Sequence, residues 1–271
     1  MIEKKLNIMV IGAHPDDCDG GCGGIVLKYR KLGHAVQFVS TTNGSAGHQS
    51  YDRPTLAKIR KMESQTVAEK SGISYLVLDY DDGRLEVNLE SREKILRIIR
   101  RFSPDIIFTH RPNDYHPDHR YTSQLVQDSS YLVMIPNVCP DTPVMKFQPI
   151  ICYMSDSFKR PYPFSPDIAV GIDDVIEQKL EMVSCHKSQY FDFLPYLDHL
   201  QNLIPTDYDD SRYAYDCVNT CDAKTANNYR KQLIARYGKE TGQAVKYAEA
   251  YEISEYGRQI EKDEIDNYFP R

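Results

Sequence analysis

The stretch LNIMVIGAHPDDCDGGCGGIVLKYRKL, Leu6–Leu32, decides the fold. Its first eight residues, LNIMVIGA, form a continuous apolar run with β-branched side chains, which is typical of a strand buried on both faces of a parallel sheet. A short polar loop follows, and Gly21–Leu32 then has helical spacing with Gly33 as a stop signal. Strand, loop and helix in this order predict the first half of a β–α–β unit.

The same alternation continues along the chain. Further strands are predicted at Ala35–Thr41, Tyr75–Leu78, Asp105–His110, Ile150–Met154 and Ile168–Ile172, and helices at Thr55–Lys70, Ser91–Phe102, about 119–134 and Asp173–His186. The pattern predicts an α/β protein with a mostly parallel sheet and helices on both faces. Because no linker separates the parts, we expect a single domain over residues 1–271. Its core half is 1–135, and 136–271 holds the remaining elements and a Tyr-rich C-terminal elaboration.

Composition narrows the class of protein. The chain has 33 basic and 39 acidic residues, a net charge of −6, and no concentrated basic stripe, so a nucleic-acid partner is not expected. The apolar stretch near the N-terminus is too short for a secretory signal or a membrane span. The seven cysteines are read as free thiols. We therefore expect a cytoplasmic protein, whose oligomeric state, homo-oligomer included, stays open.

The tripeptide His-Pro-Asp occurs twice, at His14–Asp16 and at His116–Asp118. Each copy directly follows a predicted strand and is followed by another side chain that can bind a metal, Asp17 or His119. In open parallel sheets the ligand crevice lies at the carboxyl ends of the strands, where the strand order reverses. In the common strand order of such sheets, the first and fourth strands are neighbours at the point where the order reverses. We therefore expect the two motifs to face each other.

Together the motifs contain the parts of a hydrolytic metal site. His14, Asp17 and His119 supply the two imidazoles and one carboxylate that suit catalytic zinc with an open position, although such donors also admit Fe²⁺. Asp16 is then free to act as general base. His116 could stabilise an oxyanion.

Asp118 could fix the tautomer of His116 and raise its basicity. A simpler interpretation exists for part of this pattern, since Asp16 or Asp17 could merely cap the helix that follows the first motif. The glycines of Gly20–Gly24 could suggest a dinucleotide loop, but no GxGxxG is present. Two copies of the motif at opposed strand ends favour the metal site.

At these residues the chain resembles the LmbE/PIG-L family of zinc-dependent de-N-acetylases. The family signature, Ala-His-Pro-Asp-Asp-x-Glu followed by Gly-Cys-Gly-Gly, stands here as Ala13–Asp19 and Gly21–Gly24, and the second element as His116–His119. Weaker landmarks resemble Asn43–Gly47, Arg60–Glu63, Ser188-Gln189 and Ala248–Tyr251. The match is dense up to about residue 135 and thin beyond it.

The resemblance implies a Rossmann-like three-layer fold and a function. By the resemblance, the zinc ligands are His14, Asp17 and His119, the general base is Asp16, and a sugar-binding residue is Arg60. It further implies that His116 stabilises the oxyanion and protonates the leaving amine, with Asp118 orienting it. The expected substrate is a small-molecule N-acetylglucosamine conjugate, which would yield acetate and a free amine.

Two positions near the motifs depart from the family pattern, and Cys18 allows two interpretations. Asp19 stands where the family has Glu, and Asp114 stands where some members have Tyr. Cys18 could compete as a thiolate ligand or simply be a small loop residue. Two alternative functions stay open, namely a metal-dependent amidase acting on a different acylated amine, and a non-catalytic sugar-binding protein.

Overall fold

The computed structural model describes the backbone of residues 4–199 and 210–271. It describes the side chains of the same residues except those of 210–215. The strands are β1 (Asn7–Gly12), β2 (Ala35–Thr42), β3 (Ser74–Tyr80), β4 (Ile106–Thr109), β5 (Ile150–Met154), β6 (Ile168–Gly171) and β7 (Ala248–Ile253). The helices are α1 (Asp17–Lys31), α2 (Arg53–Ser71), α3 (Leu89–Phe102), α4 (Pro117–Leu132), α5 (Ile176–Val183), α6 (Leu194–Leu197), α7 (Asp210–Asn228), α8 (Arg230–Tyr237), α9 (Lys239–Ala244) and α10 (Ile265–Tyr268). A π-helical turn at Ser188–Phe193 precedes α6, and a 3₁₀ turn at Lys262–Glu264 precedes α10.

A seven-stranded sheet in the order β3-β2-β1-β4-β5-β7-β6 forms the centre of the protein. The pairs β2–β3, β1–β2, β1–β4 and β4–β5 are parallel, whereas β7 runs antiparallel to both β5 and β6. The predicted mostly parallel α/β fold is confirmed. The strand order reverses between β1 and β4, which are neighbours as predicted.

Alternating residues of the central strands face two separate cores. Ile8 and Val10 of β1 pack into the core that contains α1 and α5, while Met9 and Ile11 pack into the core that contains α3 and α4. Helices therefore cover both faces and the fold has three layers. Close packing of α1 needs Gly24, because a Cβ at that position would lie 2.6 Å from Ile172 Cγ2. No helix among the described residues is both long and apolar enough to cross a membrane.

The structure differs from the predicted elements in two places that affect the site. Helix α1 begins at Asp17 rather than Gly21, so the first motif enters the helix directly. The second difference is β7, which was not predicted as a strand and lies between β5 and β6. Within the predicted Tyr-rich elaboration, residues 200–209 lie outside the described part of the chain.

A buried cluster of charges joins the C-terminal half to α1. Lys179 of α5 donates from Nζ to Asp222 Oδ2 and to Glu249 Oε1, both at 2.8 Å, and its side chain is fully buried. The Glu249 carboxylate also accepts from the backbone N–H groups of Gly24 and Ile25 at 2.8 Å each. The cluster thus fixes β7 and α5 against the helix that carries Asp17.

Replacing Lys179 with Met is expected to lower the free energy of unfolding by about 3–5 kcal/mol, because it leaves two buried carboxylates without their cation. Urea denaturation of the wild type and the variant measures the change. Lys31→Met is the control, since Lys31 Nζ lies 3.9 Å from the exposed carboxylate of Asp174 and 3.1 Å from its carbonyl, and such surface contacts contribute about 1 kcal/mol or less. Equal effects of the two substitutions would contradict the role given to the buried cluster.

Candidate metal centre and active site

Both His-Pro-Asp motifs lie at the carboxyl edge of the sheet. Because β1 and β4 pair in parallel with Ile11 opposite Thr109, the loops that follow them leave the sheet side by side. The first motif leads into α1 and the second into α4. The rings of His14 and His116 lie 4.5 Å apart. Two motifs distant in sequence therefore meet in one place.

The three predicted metal ligands bring their donor atoms together. His14 Nδ1 lies 3.2 Å from His119 Nε2 and 3.4 Å from Asp17 Oδ2, and His119 Nε2 lies 3.5 Å from Asp17 Oδ1. Tetrahedral coordination at bond lengths of about 2.0–2.2 Å places ligand atoms about 3.3–3.6 Å apart. The separations and the chemistry of the donors therefore fit a divalent cation of the size of zinc.

The carboxylate of Asp17 is held in place by the chain next to it. Its Oδ2 accepts from the backbone N–H groups of Ala13 at 2.9 Å and His14 at 2.7 Å. Burial alone would raise the pKa of Asp17, but the charges of His119 and His110 lower it well below its ordinary value. Asp17 is therefore ionised, as binding of a cation requires.

Two carboxylates hold the opposite side of the His14 ring. Its Nε2 lies 3.2 Å from Asp82 Oδ1 and 3.3 Å from Asp118 Oδ2. Burial alone would lower the pKa of His14, but hydrogen bonds to Asp118, Asp17 and Asp82 raise it well above its ordinary value. A proton kept on Nε2 by these carboxylates leaves Nδ1 available to a cation, as in many metal sites.

The position of Asp118 differs from the predicted one. Its carboxylate contacts His14 instead of His116, and its Oδ2 also accepts from the backbone N–H of Gly83 at 2.7 Å. The contact with His116 comes from the backbone of Asp118, whose N–H donates to His116 Nδ1 at 3.2 Å. The reason is that α4 begins at Pro117 with His116 as its N-cap, which turns the Asp118 side chain inward.

His119 is oriented by a carboxylate and a second imidazole. Its Nδ1 lies 3.1 Å from Asp114 Oδ1, and its ring stacks on His110 with centroids 3.9 Å apart. His110 Nε2 lies in turn 3.1 Å from the backbone nitrogen of Ala13 and 3.2 Å from Asp17 Oδ2. These contacts direct the other ring nitrogen of His119, Nε2, towards the other two donors.

Asp16 has an unusual backbone conformation and an unusual acidity. Its φ of 116° and ψ of −31° lie in a region that costs a residue other than Gly about 1–3 kcal/mol. Burial raises the pKa of Asp16 to about 7, and the negative charge of Asp17 adds to this rise. A cation bound nearby would lower the value again. Such a carboxyl is suited to accepting and returning a proton near neutral pH.

His116 presents one nitrogen to the site. Because its Nδ1 accepts from the Asp118 N–H, the neutral ring carries its proton on Nε2. Burial lowers the pKa of His116, and the charge of His14 lowers it further. A neutral ring is a hydrogen-bond donor at Nε2 rather than a source of a full proton.

Arg60 is buried beneath the turn at Asn43–Gly47. It is 2% exposed, and its Nη2 donates to the carbonyl of Gly47 at 2.9 Å and to Oε1 of Gln189. Glu63, one turn further along α2, accepts from Ser188. Three of the weaker family landmarks therefore contact one another. Binding of a sugar hydroxyl by Arg60 stays a prediction.

Cys18 is fully buried, and its thiol points at the carbonyl oxygens of Val10 and Val39, 3.6 Å from each. Burial raises the pKa of this thiol well above its ordinary value, and the charge of Asp19 adds to the rise. The protonated thiol fits a packing role beneath the loop, not that of a thiolate ligand.

The sequence did not assign three residues that surround the donors, namely Asp82, His110 and Asp114. Asp82 lies just after β3 and His110 just after β4, and both strands end at the same edge of the sheet. Their position after such a strand is the sequence signal that could have identified them.

Comparison with known proteins gives several matches. The family model described as PIG-L, GlcNAc-PI de-N-acetylase, matches residues 9–130. A diacetylchitobiose deacetylase from Thermococcus kodakarensis is 30% identical over 189 residues, which cover 68% of this chain and 70% of that protein.

Two solved structures show the same fold. The N,N'-diacetylchitobiose deacetylase from Pyrococcus horikoshii has a TM-score of 0.72 at 24% identity, covering 94% of this chain and 86% of its own. GalB, the 4-carboxy-2-hydroxymuconate hydratase from Pseudomonas putida KT2440, has a TM-score of 0.74 at 18% identity, covering 95% and 99%. Since a hydratase shares it, the fold alone does not define the reaction. By its identity to the Thermococcus protein and its match to the family model, the chain belongs to the PIG-L family, as the two His-Pro-Asp motifs predicted.

Proposed function

We propose that this protein is a metal-dependent de-N-acetylase that removes the acetyl group from an N-acetylglucosamine conjugate. The observation that carries the proposal is the convergence of His14, Asp17 and His119, whose donor atoms lie 3.2–3.5 Å apart beside Asp16. The deacetylase relative and the family description supply the substrate class, an N-acetylated amino sugar.

His14, Asp17 and His119 would hold the divalent cation. When bound, it supplies a Lewis acid that makes water more acidic and polarises an amide carbonyl. We propose zinc as the metal, because two imidazoles and one carboxylate form a familiar catalytic zinc site. The same donors also bind Fe²⁺ in other proteins, so the metal content of the purified protein decides between the two.

The proposed work of the side chains is proton transfer and charge stabilisation. Asp16 accepts a proton from the attacking water and returns that proton to the amine as the C–N bond breaks. His116 Nε2–H donates to the oxyanion that forms at the carbonyl. This division differs from the predicted one, in which His116 also protonates the amine, because the lowered pKa of His116 favours its neutral form.

Asp118 is proposed to act through His14. Asp118→Asn is expected to weaken metal binding about 10–100-fold, which is typical when the carboxylate partner of a ligating histidine is lost. Competition with a fluorescent chelator measures the affinity. Asp128→Asn, on the same helix but away from the donors, should bind metal like the wild type. If Asp118→Asn lowered kcat with full metal affinity, Asp118 would serve His116 instead.

The test of the proposed function is acetate release. Protein stripped with a chelator should release no acetate from N,N'-diacetylchitobiose, and addition of zinc should restore release. Metal-loaded protein that is inactive on a panel of acetamido sugars but cleaves another acylated amine would favour the amidase alternative. Sugar binding without any turnover would favour the non-catalytic alternative.

A further inference from the structure

The hydroxyl of Tyr75 lies directly beneath the turn that carries Asp16. It accepts a hydrogen bond from the Asp16 backbone N–H at 3.3 Å and another from Ser40 Oγ at 3.3 Å. It donates to Asp19 Oδ2, also at 3.3 Å, and Asp19 in turn lies 3.0 Å from His186 Nε2. One side chain from β3 therefore joins the proposed base to a buried carboxylate–imidazole pair.

The hydrogen bond from the Asp16 N–H to Tyr75 lies where the backbone conformation of Asp16 is unusual. Asp16 has a φ of 116°, a conformation that residues other than Gly adopt only when the surroundings enforce it. The next residue, Asp17, is fixed by its carboxylate, but fixing Asp17 does not by itself determine where the Asp16 carboxyl points. A hydrogen bond to the Asp16 N–H restrains the peptide plane on which that direction depends.

The Tyr75 hydroxyl also contacts Asp19, the residue that stands where the family signature has Glu. Asp19 is completely buried, and its Oδ2 takes hydrogen bonds from both Tyr75 and His186. The tyrosine ring is itself held edge-on against Phe38, with centroids 5.4 Å apart. A ring fixed by packing and a carboxylate fixed by a buried histidine leave the hydroxyl little freedom to move away from Asp16.

We propose that Tyr75 is a positioning residue that holds Asp16 in the conformation required of the general base. The inference rests on the proposed function for its catalytic consequence, but the conformation of Asp16 can be tested without any substrate. Tyr75 touches no reacting atom and acts through the backbone of Asp16.

Tyr75→Phe is the direct test, because it removes the hydroxyl and keeps the ring. We expect kcat to fall about tenfold, since small misplacements of a catalytic group are costly. KM and the bound metal should be unchanged. Tyr80→Phe is a matched control on the same strand, since the buried Tyr80 hydroxyl has no hydrogen-bond partner among the described residues. It should behave like the wild type.

Crystal structures of the metal-loaded wild type and both variants complete the test. We expect Asp16 to leave its positive φ, or to become disordered, only in Tyr75→Phe. An unchanged Asp16, a kcat within about twofold of the wild type, or a parallel loss of metal would overturn the proposal. If the wild type were inactive on every acetamido sugar, the proposed function would fail, and the conformation of Asp16 would still decide this inference.

Ser40→Ala provides a second variant if Tyr75→Phe does not fold. It removes one of the two hydrogen bonds that the Tyr75 hydroxyl accepts and leaves the tyrosine in place. We expect a smaller fall in kcat, about two- to threefold, with unchanged KM. Loss of metal instead of kcat would contradict a role through Asp16.

Discussion

Asp16→Asn is expected to lower kcat for acetate release about a thousandfold, within the range that general acid–base catalysis contributes. The amide that replaces the carboxylate cannot accept a proton from water at any accessible pH. Asn keeps the size of the side chain and tolerates positive φ, so the backbone at this position should be preserved. The metal should stay bound, because the three proposed ligands are untouched.

Steady-state kinetics and metal analysis of the same preparation measure both effects. Asp81→Asn is the matched control, since the half-exposed carboxylate of Asp81 makes only long contacts, with Arg84 at 3.5 Å and with Asn43 Nδ2 at 3.4 Å. A kcat reduced by less than about tenfold would exclude Asp16 as the base. Loss of the metal from Asp16→Asn would instead place Asp16 among the ligands.

His119→Ala is expected to abolish both stable metal binding and activity. Only two of the three donors would remain, and the carboxylate of Asp17 would lose the imidazole 3.5 Å away that shares the cation with it. Metal affinity of such sites depends on the complete set of ligands. We expect the metal content to fall from about one ion per chain to a trace.

Elemental analysis after dialysis measures the metal content. His48→Ala is the control, because His48 Nδ1 accepts from the backbone N–H groups of Ser50 and Tyr51, outside the proposed donor set. It should retain one ion per chain. A fully metallated His119→Ala would show that the metal binds elsewhere, whatever its effect on turnover.

Strong local signals in the sequence predicted the parallel part of the fold. The apolar runs that became β1 and β4 are continuous, and Ile150–Met154 was predicted with its observed bounds. The sequence did not predict β7, because its six residues, AEAYEI, include two Glu. The strand is stabilised by pairing with β5 and β6, which come from distant parts of the chain. Such non-local pairing leaves little trace in local periodicity.

The site was predictable where the donors lie within the motifs and not where they come from elsewhere. Both copies of His-Pro-Asp named residues that the structure brings together. The sequence did not predict Asp82 as part of the site, because its contact with His14 joins the loop after β3 to the loop after β1. The orientation of Asp118 depends on where α4 begins. Successive residues of a helix point in different directions around its axis, so a helix that begins one residue earlier or later turns each side chain towards a different neighbour.

The most direct test of the central claim is anomalous X-ray scattering from crystals of the zinc-loaded protein. We expect one peak bonded at about 2.0–2.2 Å to His14 Nδ1, the Asp17 carboxylate and His119 Nε2. A peak on other residues, or well-ordered crystals of fully loaded protein with no peak between these three side chains, would contradict the proposed metal centre.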